Sequence, residues 1–432
     1  MYQLSRQIPV MGEYDILVAG AGPAGLCAAM AAARAGARVA LVERHGTVGG
    51  NLTLGHVGPI MGKLNPDTMA GEINDLLNGG TGMVHDTEDA KRRLMNWIDH
   101  DLIDLYLLCP VVDAIMEAGQ IKGLVVGTQS GMAAIFARIV IDCTGDGVVS
   151  HLAGAPWVMG REGDGLVQPA TIMYTIAGID PRQTMVCTHE ADETILPDGK
   201  SYLQLCRDAC ADGRLPENVN IVRLYRCADD PAKRLVNATQ ENRVNALDPQ
   251  DMVRAERSLR NQCQQVVTFL RENVWGFEHC YIESSADVVG IRESRRVLGE
   301  YVICGEDLKY GMQFPDPVVH DAFFCIDIHN PDGAGQAETG NKPFEVEQYD
   351  LPYRAFVPLN VEGLYTCGRC ISGTHRAHAS YRVMNTVLAM GQAIGTAAAL
   401  CVQENVLPRQ LDYSLLRRAL TDMGVHLGKE AP

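Results

Sequence analysis

Residues Tyr14–Glu43 read YDILVAGAGPAGLCAAMAAARAGARVALVE, and the order of apolar and glycine-rich pieces in this stretch decides the fold. Asp15–Ala19 is a short apolar run, Ala24–Ala35 an alanine-rich stretch of helical character closed by Gly36, and Arg38–Val42 a second apolar run. That order is strand, helix, strand. Between the first two lies Gly20-Ala21-Gly22-Pro23-Ala24-Gly25, a G-x-G-x-x-G. Gly20 permits the tight turn out of the strand, Gly22 leaves room for a pyrophosphate against the backbone, and Gly25 lets the helix lie close to the sheet. The helix N-terminus then offers its unpaired amides to phosphate. Glu43 closes the second strand, 23 residues after Gly20, where an acid accepts hydrogen bonds from a ribose hydroxyl. A G-x-G-x-x-G alone can be mere packing; in register with both strands, the helix and the acid, it reads as a dinucleotide-binding unit.

The chain has 432 residues, which favours two or three subdomains. Its composition is globular, with 47% hydrophobic and 21% charged residues. Lys and Arg number 37 against 53 Asp and Glu, a formal charge of −16. With no dense basic run, so acidic a chain repels phosphate backbones, and nucleic acid is excluded as an expected partner. The opening MYQLSRQIPVMGEYD holds no apolar stretch of signal-peptide length. Val383–Gln403 is long and uncharged but contains Asn385, Gln392 and two glycines, which suits a buried helix better than a membrane span. Fourteen cysteines lie without paired metal spacing, as expected of reduced, buried thiols. The expectation is a soluble, cytoplasmic protein with no membrane partner.

Residues 1–13 read as a lead-in or an extra edge segment. After Glu43, RHGTVGGNLTLGHVGP is a glycine-rich loop facing the nucleotide. Asp67–Leu77 and Thr87–Asp101 have helical spacing. Leu102–Leu108, Val111–Glu117, Ile121–Thr128 and Ala133–Ile141 are four strand-like runs, expected to form an antiparallel meander that returns to a parallel sheet at the turn Asp142-Cys143-Thr144-Gly145-Asp146-Gly147. From His151 to Asp350 the pattern is mixed. Val253–Val274 is an amphipathic helix there, Leu215–Tyr225 and Tyr281–Ile291 look extended, and Asn330–Asn341 is a loop. The last eighty or so residues regain the opening's texture, with a short strand at Leu364–Thr366. Both ends therefore build one discontinuous domain, residues 1–150 and 351–432, into which a substrate domain, residues 151–350, is inserted. No internal repeat is visible.

Five motifs in this order resemble the FAD-dependent oxidoreductase family of the glutathione-reductase fold, in a branch distantly similar to fumarate reductase and succinate dehydrogenase flavoproteins. They are the opening glycine motif with Glu43, VGGNLTLG at Val48–Gly55, DCTGDG at Asp142–Gly147, GIRESRRVLGEY at Gly290–Tyr301, and YTCGRCISGTHRAHASYRVM at Tyr365–Met384. The resemblance implies an α/β protein with a Rossmann-like FAD-binding domain and an inserted α+β substrate domain. It implies FAD held by Gly20, Gly22, Pro23, Ala24, Gly25, Glu43, Arg44, Gly49, Gly50, Asn51, Thr144, Gly145, Asp146, Gly368, Arg369, Val383 and Met384. Gly49-Gly50 and Gly368-Arg369 are separate elements suited to a second phosphate approach and a flavin-side diphosphate, which NAD alone does not need. No second G-x-G-x-x-G follows a strand in the middle third, so the reductant or oxidant must enter the substrate site or come from an electron-transfer partner.

A helix starting near Tyr381 would aim its positive end at the flavin, worth roughly 0.3–1 kcal/mol, with Gly391 and Gly395 allowing close packing. His375, Arg376, His378 and Arg382 form the densest polar cluster beside a cofactor motif. Hydride transfer needs a proton acceptor or donor nearby, and imidazole titrates in the useful range. The catalytic candidates are accordingly His375 or His378 as acid/base, with Arg382 or Arg292 holding an oxygen anion; backbone-bonded structural histidines are the alternative. On a strand at Gly290–Tyr301, Arg292 and Arg296 would share one face and Glu293 and Arg295 the other, the latter two in ion pairs. His45 and His56 are positions at which a covalent flavin link is conceivable. Cys367 and Cys370 read as packed thiols rather than a redox pair, and Cys206 and Cys210 lack zinc-spaced companions.

The function expected is hydride transfer between flavin N5 and a carbon of a small polar substrate. A flavin monooxygenase is the alternative; Trp97, Trp157 and Trp275 stand isolated, against a halogenase motif. A subunit of an electron-transfer complex, or a homo-oligomer, is also compatible with the chain.

Overall fold

The apolar run ahead of the glycine motif forms β1 (Val10–Ala19), followed by α1 (Pro23–Arg34) and β2 (Val39–Val42). The computed structural model describes residues 5–77, 84–188, 194–227, 230–335 and 345–428. β1 starts before its apolar run because Val10–Tyr14 are held by backbone pairing to a later strand rather than by burial of their side chains. Residues 10–13 therefore extend a central strand and are not an edge segment. Next come α2 (Met69–Leu77) and α3 (Thr87–Trp97), the latter capped by Asp86, whose carboxylate accepts from the amides of Glu88 and Asp89.

β3 (Ile103–Tyr106), β4 (Val111–Glu117), β5 (Gln120–Thr128) and β6 (Gly131–Asp142) are the four expected runs. They do not form one meander. β3 pairs in parallel with β2, because α2 and α3 supply a crossover long enough for parallel pairing, whereas the tight turns between β4, β5 and β6 enforce antiparallel ladders. The path across the sheet is β3-β2-β1-β6-β5-β4, with β6 parallel to β1 along most of its length.

After α4 (Val148–Leu152) and β7 (Trp157–Val158) the chain builds a second sheet. It holds β8 (Tyr174–Ala177), β9 (Arg223–Arg226), β10 (Arg234–Asn237) and β11 (Tyr281–Ser285), antiparallel in the order β11-β8-β10-β9. α5 (Tyr202–Ala211) and α6 (Pro249–Asn273) pack with it. The helical spacing of Ala255, Leu259, Cys263, Val266 and Leu270 puts all five into the second core, which gathers residues from Ala170 to Val289. The extended stretches expected around Leu215–Tyr225 and Tyr281–Ile291 contract to β9 and β11.

β12 (Arg296–Val297) pairs with β7, and α7 (Gly305–Lys309), β13 (Pro317–Ala322) and β14 (Tyr349–Pro352) follow. Apolar residues between Ile303 and Ile328 and between Val346 and Val357 share the first core with α1 and the main sheet. β15 (Leu364–Thr366) lies in parallel against the last residues of β6, completing seven strands among the described residues. Then come α8 (His375–Tyr381), α9 (Met384–Glu404) and α10 (Tyr413–Asp422). The helix expected at Val383–Gln403 is α9; α8, which ends at Tyr381 and is separated from it by Arg382-Val383, was not expected. α9 is long and apolar enough to cross a membrane, yet it is mostly buried in the fold. Its glycines Gly391 and Gly395 lie against the carbonyls of Ala24 and Ala28, where no Cβ fits, so α9 packs on α1. The two ends of the chain are joined there. Asn330 to Gly335 forms the start of the expected loop; residues 336–341 of it lie outside the described residues.

Candidate functional site

A cavity of about 870 Å³ opens at the C-terminal ends of β1, β6 and β15, the end at which open α/β sheets bind ligands. Its volume is in the upper part of the ~300–1,000 Å³ range of ligand pockets. The turn after β1 forms one wall. Gly20 adopts φ +96° there, and Gly25 packs against the Gly20 carbonyl with no space for a Cβ. Over Gly22, by contrast, nothing lies within 4 Å of the point a Cβ would occupy, and the residue faces the cavity. α1 begins at Pro23 with no side chain capping it, leaving its first-turn amides available to an anion.

Glu43 is buried at the end of β2, and its carboxylate accepts from the amides of Ala21 (2.7 Å) and His45 (3.0 Å). It braces the glycine turn while keeping further lone pairs for a hydroxyl donor. Gly49 donates to the Ala21 carbonyl at 2.8 Å, which sets Gly50 and Asn51 beside Gly22. After β6, Asp142 latches the next turn by accepting from the amide and hydroxyl of both Thr144 and Ser150. Asp146 follows, 2.6 Å from Arg369 Nη2 and 2.6 Å from Ser294 Oγ. Burial alone would raise its pKa, but Arg369, Ser294 and Arg44 together hold it below the usual carboxylate range.

Of the residues nominated from sequence, Gly20, Gly22, Pro23, Ala24, Glu43, Arg44, Gly50, Asn51, Thr144, Gly145, Asp146, Gly368, Arg369, Met384 and Arg382 line this one cavity. Gly25, Gly49 and Val383 lie behind the lining. The roof comes from the middle of the chain: Met252, Val253, Glu256, Arg257 and Arg260 of α6, and Val288, Val289 and Ile291. No glycine signature marks that roof, and its helical spacing reported only the opposite, core-facing side of α6.

Around Arg382 and Arg292, both nominated from sequence, lies a largely buried charged cluster whose other members, Gln168, Asp327 and His329, were not. Arg382 Nη2 donates to Gln168 Oε1 (3.2 Å) and to the Asp327 carbonyl (3.1 Å), and lies 3.8 Å from the Asp327 carboxylate. His329 Nε2 is 3.3 Å from that carboxylate, and Arg292 Nη1 donates to the Pro169 carbonyl at 2.7 Å. Gln168 Nε2 and Arg382 Nε are buried with no hydrogen-bond partner among the described residues. Burial, then repulsion from Arg382, pushes Arg292 down to about 9, so it stays charged at neutral pH. Burial and Arg292 push His329 down to about 4, leaving it neutral. For Asp327 burial acts upward, and His329 and Arg382 overcome it to hold the acid well below its ordinary range. Asp327 and His329 sit in an irregular segment whose only sequence signal was their spacing of two.

Arg292 is not part of a strand, and the expected alternation at Gly290–Tyr301 fails: only Arg296–Val297 are extended in a ladder. Glu293 and Arg296 consequently meet as a buried ion pair instead of facing opposite ways. Arg295 stacks over Trp157 at 5.1 Å. His375 and His378 are both buried in α8 and do not line the cavity. His375 Nδ1 is 2.9 Å from the Glu293 carboxylate, and its Nε2 is buried with no partner among the described residues. Burial, followed by Arg296 and Arg382, drives His378 well below the ordinary imidazole range. His45 lines the cavity; His56 lies away from it, its ring held between the hydroxyls of Thr87 and Thr175, each at 2.9 Å. Cys367 and Cys370 are buried free thiols, as are Cys206 and the half-buried Cys210.

A mixed α/β fold with a glycine turn, an acid at the second strand and four further segments converging on one cavity is the arrangement of a dinucleotide-cofactor oxidoreductase. The chain belongs to the FAD dependent oxidoreductase family, whose match runs over residues 15–420, and FAD is its cofactor. The open backbone over Gly22 and the uncapped start of α1 fit that group. Among solved structures, p-nitrophenol 4-monooxygenase from Pseudomonas putida DLL-E4 is similar in fold, at TM-score 0.50 and 11% identity over 96% of this chain and 87% of that one. A geranylgeranyl bacteriochlorophyll reductase-like protein from Thermoplasma acidophilum gives TM-score 0.48 at 12% identity, covering 95% and 84%. The soluble pyridine nucleotide transhydrogenase of Marinomonas sp. (strain MWYL1) is 54% identical over 51 residues, 12% of this chain and 11% of that protein.

Proposed function

We propose that the protein is a dehydrogenase or reductase of glutathione-reductase type that moves a hydride between flavin N5 and a carbon of a small, anionic polar substrate. When bound, FAD supplies the hydride chemistry. The start of α1 with Gly20, Gly22, Pro23 and Ala24 would take the diphosphate, and Glu43 with Arg44 the adenosine ribose. Gly50 and Asn51, which line the same cavity, would flank the phosphates. Thr144, Gly145, Asp146, Gly368 and Arg369 would hold the flavin side, and the start of α9 at Val383-Met384 would present its positive end to the ring system.

One observation carries the substrate reading: Arg382 belongs at once to the cavity wall and to the charged cluster, with its Nε unpartnered among the described residues. A guanidinium so placed gains most from an oxygen anion, because a buried donor left unmade costs about 1–3 kcal/mol. Arg292 stands behind it and adds charge. His375 acts from behind the wall as a positioning residue: it is bonded to Glu293, Glu293 accepts from the Gln168 backbone amide at 3.1 Å, and the Gln168 side chain accepts from Arg382, so the chain of bonds holds the arginine in place. His378 stays neutral and packs.

Anaerobic mixing of the flavin-loaded protein with a panel of hydroxy acids, unsaturated acids and polyols tests this. Hydroxy acids should bleach the flavin, or unsaturated acids reoxidise the reduced protein. Arg382→Met should keep the flavin and lose at least ~100-fold in that rate. Wild-type rates in Arg382→Met would remove the arginine from the reading, and labelled oxygen appearing in the product after admission of air would replace it with a monooxygenase.

A further inference from the structure

His320 and Asp321 are consecutive residues of β13 and in a regular strand would point to opposite faces. They do not, because the ladder to β14 shifts register between Val319 and Ala322 and Asp321 takes φ +54°. Such an irregularity re-aims a side chain at a cost in backbone strain. The result is that His320 Nε2 and Asp321 Oδ1 lie 3.3 Å apart. His426, from the segment after α10, completes the group: its ring centroid is 5.1 Å from that of His320, and one ligand atom from each of the three residues falls within 4.8 Å of the others.

The segment bearing His426 is held in place, since Leu427 is buried and Arg417 donates to the carbonyls of Leu427 (3.2 Å) and Gly428 (2.6 Å). Behind the group, the buried Asp350 accepts from His320 Nδ1 at 2.6 Å and is itself fixed by the amides of Phe314 and Asp321. That hydrogen bond assigns the proton to Nδ1 and leaves Nε2, 3.3 Å from Asp321 Oδ1, as the ligand atom. A carboxylate behind a histidine in this way is the usual support of a metal-ligating imidazole.

We propose that His320, Asp321 and His426 bind a divalent transition cation of the zinc class, clipping the segment after α10 to β13. Two imidazoles and one carboxylate suit zinc and leave a fourth position for water. Metal–ligand bonds of about 2.0–2.1 Å in a tetrahedron separate adjacent ligands by about 3.3 Å, the spacing already present between His320 and Asp321. Lys63 lies 3.3 Å from Asp321 Oδ2 and so leaves Oδ1 for the cation.

Untagged, flavin-loaded protein freed of metal with EDTA provides the test. Titration with Zn²⁺ should show one equivalent bound and a raised melting temperature. Co²⁺ should give visible d–d bands without a thiolate charge-transfer band. His426→Gln, at an exposed position, and Asp321→Asn should abolish both responses. Asp350→Asn should weaken Zn²⁺ binding about 10–100-fold. No stoichiometric uptake, uptake unchanged in His426→Gln, or a cobalt–thiolate band would each overturn the proposal.

Discussion

Gly25 of α1 lies against the carbonyl oxygen of Gly20, so close that a Cβ at position 25 would stand well inside 3.0 Å of that oxygen. Two residues of one motif thereby set the distance between helix and sheet. Gly22, between them, has open space and faces the cavity. The motif thus separates into a packing glycine and a ligand glycine. Gly25→Ala should lose about 1–3 kcal/mol of stability in urea unfolding of the flavin-free protein. Gly22→Ala should leave that midpoint in place and weaken flavin binding at least ~10-fold in fluorescence titration. Equal effects of the two variants on both measurements would refute the division.

Acid should unfold the protein through its buried histidines. His56 is nearly inaccessible, its ring bonded to hydroxyls, and burial lowers its pKa from about 6.5 to about 4. As pH falls below ~6.5 the unfolded chain takes up a proton that the native one refuses until about 4. The stabilisation is therefore complete above pH ~6.5 and is lost progressively toward pH ~4. Between pH 7 and 5 it amounts to about 2 kcal/mol. His56→Asn, which does not titrate and tolerates the positive φ of 54° at this position, should show a smaller fall in urea midpoint between those pH values than the parent.

Glu293 joins Arg296 and His375 inside the fold. Removing one member of a buried pair strands the other charge, at about 3–5 kcal/mol. Glu293→Gln should lose stability on that scale, and Glu293→Gln combined with Arg296→Met should lose less than the sum of the single changes. The same variant releases His375, so the pH profile of flavin reduction should shift while flavin retention holds. A lowered stability with an unmoved profile would make the pair structural only.

The contrast between these sites explains what the sequence could disclose. Gly20, Gly22, Gly25 and Glu43 are legible because four neighbouring requirements, turn, approach, packing and acid, fall within one continuous stretch. Leu364–Thr366 was legible as a strand for the same local reason. The placement of β3 was not, since its partner is chosen by the length of the connection and not by its own residues. Nor was the union of Glu293 with Arg296, which follows from an irregular backbone where alternation was expected. The cluster around Asp327 and His329 is assembled by segments more than a hundred residues apart, such as Gln168 and Arg382, and carries no periodic pattern at all.

Arg292 offers a way to address that cluster without touching the cavity lining. It is half-buried, and its charge is the first influence after burial that keeps His329 down at about 4. Arg292→Met removes this repulsion, so His329 should titrate closer to 6.5. The native state then accepts the proton earlier, and the share of acid destabilisation owed to His329 shrinks. Carbon-13 labelling of the histidine rings would follow the titration by NMR. Because Arg292 does not line the cavity, flavin affinity should be unchanged. The apparent affinity for an anionic substrate should fall at least ~10-fold as the positive charge behind Arg382 is lost. An Arg292→Met protein that binds substrate as the parent does, with His329 still titrating near 4, would detach the buried cluster from substrate recognition and leave that task to Arg382.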